Sequence, residues 1–131
     1  MSYFVECQNI GGFKFLTKCR HHYIIVDQPV EKGGDDSGPK PPELFIASLA
    51  SCIGQVIVIF CQRHQISTQG MTLKVTWNKE PAPGKIKIEL IIPTEITEES
   101  RKAIIRLSKQ CPIHKLLHNP PIVEFCLKKE K

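Results

Sequence analysis

The sequence predicts a mixed α+β fold with mostly antiparallel strands, in the order βββ-α-ββ-α-α-β. Three observations predict it. β-rich runs crowd between residues 3 and 27. A single unbroken apolar stretch follows, from Glu43 to about His64. Two runs that alternate with a period of two come next, joined by a loop bearing Pro and Gly. Strands grouped apart from helices belong to the α+β class, not to alternating parallel units.

Each element has its own signal. "YFVECQ" (3–8), "FKFLTKC" (13–19) and "HYIIVD" (22–27) read as the first three strands, and Gly11-Gly12 suits a hairpin turn between the first two. "QPVEKGGDDSGPKPPEL" is dense in Gly, Pro and Asp, so it reads as a loop. It lacks the Gly-Lys-Ser/Thr ending of a phosphate loop and has no β-α-β context for a dinucleotide. Pro41-Pro42-Glu43 starts a helix: proline is pre-organised for the first turn, and a carboxylate suits the positive end of the dipole. "QVIVIF" alone is strand-like. The whole stretch, however, is broken only by Gly54, which predicts a helix of roughly 33 Å to about His64. It is apolar nearly all round, so it belongs at the centre. Ala47, Ala50, Ser51 and Gly54 form a small-residue stripe open to another backbone, such as a second copy of the same helix.

"MTLKVTW" (71–77) and "KIKIELII" (85–92) form a hairpin across "NKEPAPG". Thr97-Glu98-Glu99-Ser100 supplies an N-cap and first-turn acids for a second helix reaching about Lys109. "CPIHKLLHNPP" reads as a short third helix closed by Asn119-Pro120-Pro121, and "IVEFCLK" (122–128) as the last strand.

Composition bounds the function classes. The chain has 131 residues, 41% hydrophobic and 24% charged, and reads as one domain, 1–131. Its net charge of +5 comes from scattered lysines, which is no nucleic-acid footprint. Leu44 to Cys61 runs 18 residues without a charge. Ser48, Ser51, Gly54 and Gln55 within it, and the absence of flanking Trp or Tyr anchors, favour a core helix over a membrane span. The N-terminus carries no basic segment followed by an apolar one, so no signal peptide is read. The six cysteines are then expected as thiols in a reducing cytoplasm, with no disulfide framework and no Cys-x-x-Cys.

Two cysteines stand out. Cys52 lies mid-helix, where a thiol is ordinarily an inert small hydrophobe, but Ser48, Ser51 and Gly54 leave room beside it. Cys111 precedes Pro112 at a helix start, where unpaired N–H groups favour a thiolate; a buried structural cysteine is the competing reading. Cys61 reads as a core or helix-end hydrophobe. It is 2.5 turns from Cys52 at about 3.6 residues per turn, which rules out a bond within one helix. Cys111, His114 and His118 share a helical side, and Cys19, His21 and His22 cluster in sequence, but neither set has a matching ligand pair elsewhere, so no metal is expected. No Gly-x-Ser-x-Gly elbow occurs.

"GGDDSGPKPPELFIASLASC" (33–52) resembles the Gly-Pro-x-Pro-x-Glu-Leu…Ala-x-Leu-x-x-Cys segment of the OsmC/Ohr family, and "CPIHKLL" (111–117) resembles its second, Cys-Pro motif. The element order matches over nearly the whole chain. The resemblance implies an intertwined homodimer with sheets wrapped around long central helices. It implies a cofactor-free, metal-free thiol peroxidase acting on organic hydroperoxides and recycled by a small or protein dithiol. Cys52 maps to the peroxidatic cysteine and Cys111 to the resolving one. The family's peroxidases activate the thiol with an arginine from the N-terminal strands, held by a glutamate near the helix start. Arg20 is the only arginine before Cys52, and Glu43 lies in the right neighbourhood. Glu43 is one place later than the acid of the family's Pro-Glu-x-Leu peroxidases; Pro-x-Glu-Leu is typical of the broader OsmC-like branch. His21 or His22 is the alternative polar partner. The rival reading is an OsmC-like protein that senses redox state or binds a small apolar ligand.

Overall fold

A computed structural model describes residues 2–129. The chain divides into two compact units, one up to Ala47 and one from Ser48 onward.

The N-terminal unit holds a three-stranded antiparallel sheet in the order β1 (Glu6–Gly11), β2 (Lys14–Cys19), β3 (His22–Val26). β1 begins three residues later than its apolar pattern suggests and runs into the turn. There the Asn9 side chain takes the Gly11 N–H and donates to the Gly12 carbonyl, around a bulge between Asn9 and Gly11. Gly11 and Gly12 both have positive φ, which this tight turn requires.

After β3 the Gly-rich loop is not slack. Asp27 is 1% exposed, and its carboxylate accepts the Gln28 N–H at 2.8 Å, the Asp35 and Ser37 N–H groups at 3.1 Å each, and the Ser37 hydroxyl at 2.7 Å. A Cβ at Gly34 would collide with the Gln28 carbonyl, and one at Gly38 with the Ile25 carbonyl. Two glycines therefore let the loop fold back onto its own strand, and one carboxylate ties it there.

The loop delivers the chain to α1 (Pro41–Arg63). Glu43 caps its start: Oε1 accepts the Lys40 N–H at 3.0 Å, while the Glu43 N–H donates to the Lys40 carbonyl. α1 crosses the division between the units.

In the C-terminal unit, Leu49, Ile53, Ile57 and Cys61 recur every fourth residue along α1. With Ile104 and Cys111 they form the buried core. β4 (Thr72–Asn78) and β5 (Lys85–Ile91) make an antiparallel hairpin that contributes Leu73, Ile86 and Leu90 to this core. Gly54 lets β4 come close, since a Cβ there would lie 3.3 Å from Leu73 Cδ1. α2 (Glu98–Ser108) starts where Thr97 Oγ1 accepts the Ser100 N–H at 3.0 Å, and α3 (Pro112–His118) follows it. By length and composition α1 could cross a membrane. Its Leu49–Cys61 stripe instead builds the core of this unit. The opposite side, Ser48, Ser51, Gln55 and Ile59, is exposed and uncharged. The expected all-round burial of α1 therefore holds on one side only within this chain.

The expected last strand at 122–128 does not form within the described residues. Its alternation is present, but a strand exists only by pairing, and no ladder reaches it. Ile122, Phe125 and Leu127 are left 93%, 95% and 100% exposed.

Candidate active site

The C-terminal unit brings two of the four expected site residues together. Cys52, half-buried in the middle of α1, packs against the core cluster that contains Cys111, fully buried at the N-cap of α3. Both are free thiols. Local sequence puts them there. Cys52 lies three residues after core Leu49, on the flank of the buried stripe. Cys111 is held at the helix start by Pro112, whose ring fits the first turn.

α3 opens directly onto the pair. Cys111 Sγ accepts the His114 N–H at 3.4 Å, and the Ile113 side chain packs on the same core. Burial pushes the Cys52 thiol above its ordinary pKa, and the neighbouring Cys111 pushes it the same way. The Ile113 N–H pulls against both. Cys61, fully buried in the core, is also raised, by burial alone.

Arg20 and Glu43 lie in the N-terminal unit. Arg20 is exposed in the β2–β3 turn with φ 58°, a left-handed conformation uncommon for a long side chain. Glu43 is spent on the α1 cap and is not ion-paired with Arg20 among the described residues. The His21 ring, in the same turn as Arg20, packs at 4.0 Å against the His22 ring at the start of β3. Among the described residues no three His, Cys, Asp or Glu side chains converge as a metal-binding group. His114 and His118 meet edge to face at 4.9 Å, and His114 Nδ1 bonds the Lys109 carbonyl at 3.2 Å. A groove of about 1010 Å³ between β5 and α2 is lined by Ile88, Leu90, Ile92, Ile96, Ile104 and Arg101, among others, and by neither thiol.

The Ile113 N–H is a site group that the sequence does not announce. Pro112 signals the helix start, but which sulfur the next amide meets is settled by packing. Asp27 carried a faint signal, an acid at the end of a strand just before a Gly-rich loop.

The family model for OsmC-like proteins matches residues 34–125, a span that includes the helix start, both thiols and α3. The chain belongs to the OsmC-like family. An organic hydroperoxide resistance protein-like chain of Mycoplasma genitalium is 30% identical over 84 residues; the match spans 60% of this chain and 60% of that relative. The solved OsmC-like protein of Mycoplasma pneumoniae superposes with a TM-score of 0.74 at 19% identity, covering 92% of this chain and 89% of that one. The organic hydroperoxide resistance protein OhrB of Bacillus subtilis superposes at 0.57 and 18% identity, covering 92% and 93%. These likenesses establish the OsmC fold for the chain, with its mixed helices and antiparallel sheets.

Proposed function

We propose that this OsmC-like chain is a thiol-dependent peroxidase for organic hydroperoxides. The observation that carries the proposal is that Cys52 and Cys111, remote in sequence, pack into one core. A Cys52 thiolate attacks the distal peroxide oxygen, the O–O bond breaks, and the alkoxide leaves with a proton as an alcohol. The Cys52 sulfenic acid then condenses with the Cys111 thiol, forming a disulfide and releasing water. A dithiol of small-molecule or protein origin reduces that disulfide, becoming oxidised itself. No metal or organic cofactor enters this cycle.

Burial favours the neutral Cys52 thiol, so the attack needs help from a positive group. Arg20 is assigned that role, with Glu43 as its orienting acid and His21 or His22 as the alternative. The working form is a homodimer. Two exposed features support it: the uncharged Ser48–Ser51–Gln55–Ile59 side of α1, and the alternating apolar segment Ile122–Leu127. The cytoplasm, which keeps such thiols reduced, is the fitting compartment.

A second reading, a binding module for a small apolar ligand, draws on the isoleucine-rich groove between β5 and α2. Turnover separates the two. With cumene hydroperoxide and excess dithiothreitol, the wild type is expected to consume peroxide catalytically and Cys52→Ser to lose that activity entirely. Peroxide consumption equal in the two proteins would remove the peroxidase. Sedimentation of the reduced protein checks the dimer, and a stable monomer would contradict it.

A further inference from the structure

We propose that Asp27 is a positioning residue for Glu43: it fixes the peptide group on which the Glu43 carboxylate rests, and through it the direction in which that carboxylate faces a cation. The inference rests on Glu43 as the orienting acid of the peroxidase reading and adds a residue that sets its aim.

The path runs entirely within the N-terminal unit. Asp27 holds the loop that leads to α1 by side chain and backbone together. Its carboxylate takes the Asp35 N–H, the Ser37 N–H and the Ser37 hydroxyl, and its own N–H donates to the Pro39 carbonyl at 3.0 Å. Gly38, between these two anchors, lies against the Ile25 carbonyl, and Pro39 has a fixed φ, so the segment has little freedom. The Pro39 carbonyl and the Lys40 N–H belong to one planar peptide group, so fixing the carbonyl fixes the N–H on its other side. Glu43 Oε1 accepts that same N–H at 3.0 Å. A single peptide plane therefore lies between Asp27 and the Glu43 carboxylate, with a hydrogen bond on each side.

Glu43 depends on that plane. It is exposed and has no ion-pair partner among the described residues. Pro41 and Pro42 supply no N–H, and the Glu43 and Leu44 N–H groups both go to the Lys40 carbonyl. The Lys40 N–H is thus the one main-chain anchor for this carboxylate in the first turn of α1. With Oε1 committed there, Oε2 is the oxygen left for a cation, and its direction follows from the anchor. A loop clamp therefore ends in the orientation of one carboxylate, three residues into the helix.

The test joins amide exchange to a double-mutant cycle on the first oxidation step. Asp27→Asn keeps the shape of the side chain but turns one acceptor oxygen into a donor that faces donors, while the Lys14–Asp35 ion pair at 2.8 Å still tethers the loop. Glu43→Gln keeps an oxygen for the Lys40 N–H and removes the charge. Exchange of the Lys40 amide, followed by NMR in the folded protein, is expected to be several-fold faster in Asp27→Asn than in the wild type. Oxidation of Cys52 by cumene hydroperoxide is read at the Cys52 peptide by mass spectrometry. Asp27→Asn is expected to slow it about five- to tenfold when Glu43 is present, and not further in the Glu43→Gln background. A purely structural loss slows both backgrounds by the same factor; that result, or an unchanged Lys40 amide, would overturn the proposal. Ser37→Ala removes only the 2.7 Å hydroxyl bond and is expected to move both readouts the same way by a smaller factor, which keeps the test open where Asp27→Asn does not fold. If hydroperoxide leaves Cys52 of the wild type reduced, the peroxidase reading fails, and exchange at Lys40 alone decides whether Asp27 positions Glu43.

Discussion

Asp27 in the N-terminal unit and Cys52 in the C-terminal unit are both ionisable groups withdrawn from water, with opposite outcomes. Asp27 is the more buried of the two, yet it is held down to a pKa of about 2, chiefly by the Ser37 hydroxyl and then by three backbone N–H groups. Cys52 is only half-buried, yet its thiol is held up, because one Ile113 N–H faces desolvation and a second sulfur. The charge a buried group carries therefore follows the number of donors aimed at it more than the depth of burial. One region is a finished electrostatic clamp. The other is a thiol whose charge its surroundings do not secure.

The clamp is the part of this contrast most sensitive to substitution. Asp27→Ala leaves four donors without their acceptor, and it is expected to lower the urea unfolding midpoint more than Gly34→Ala or Cys61→Ala does. A midpoint equal to wild type would show that the loop does not depend on this carboxylate. Gly34→Ala attacks the same loop sterically at the Gln28 carbonyl and is expected to cost on the order of 2–4 kcal/mol.

The two regions also respond to pH with opposite signs. The Asp27 contribution is fully present above its ordinary value of 3.8 and is lost as the pH falls through about 2. The raised Cys52 and Cys61 thiols contribute stability that is full below the ordinary value of 9.0 and is lost as the pH rises through their folded-state values. Urea midpoints measured across both windows should fall at each end. Asp27→Asn should flatten the acid side, and Cys61→Ala should soften the alkaline side. The smallest effect belongs to Cys61→Ala at neutral pH, about 1 kcal/mol from a small core vacancy, with the oxidation rate of Cys52 unchanged.

Much of this was legible in the sequence wherever a local rule decides. Pro41-Pro42-Glu43 marked the start of α1, Thr97 the cap of α2, and Cys111-Pro112 the cap of α3. Period-two alternation marked β4 and β5 to within a residue or so. The misses fall where pairing or packing decides. Residues 3–5 look like strand but find no partner, whereas Asn9 and Gly11, past the expected end of β1, pair with Phe15 and Lys14 on either side of the bulge. The tail at 122–128 carries a strand pattern whose partner the described residues do not supply. At the site, the two family motifs pointed to Cys52 and Cys111, which pack into one core. That Ile113 packs beside them was invisible, because only the fold brings α3 to that core.

The proposed chemistry stands on one distinction: Cys52 and Cys111 form the reactive pair, while Cys61, on the same helix as Cys52, is inert core. Reduced protein treated with one equivalent of cumene hydroperoxide, quenched at short times and mapped for oxidised cysteines by mass spectrometry, tests it. A Cys52–Cys111 disulfide is expected ahead of any change at Cys61, and it should be absent in Cys52→Ser. Cys52 left reduced, or oxidised no faster than Cys61, would contradict the distinction.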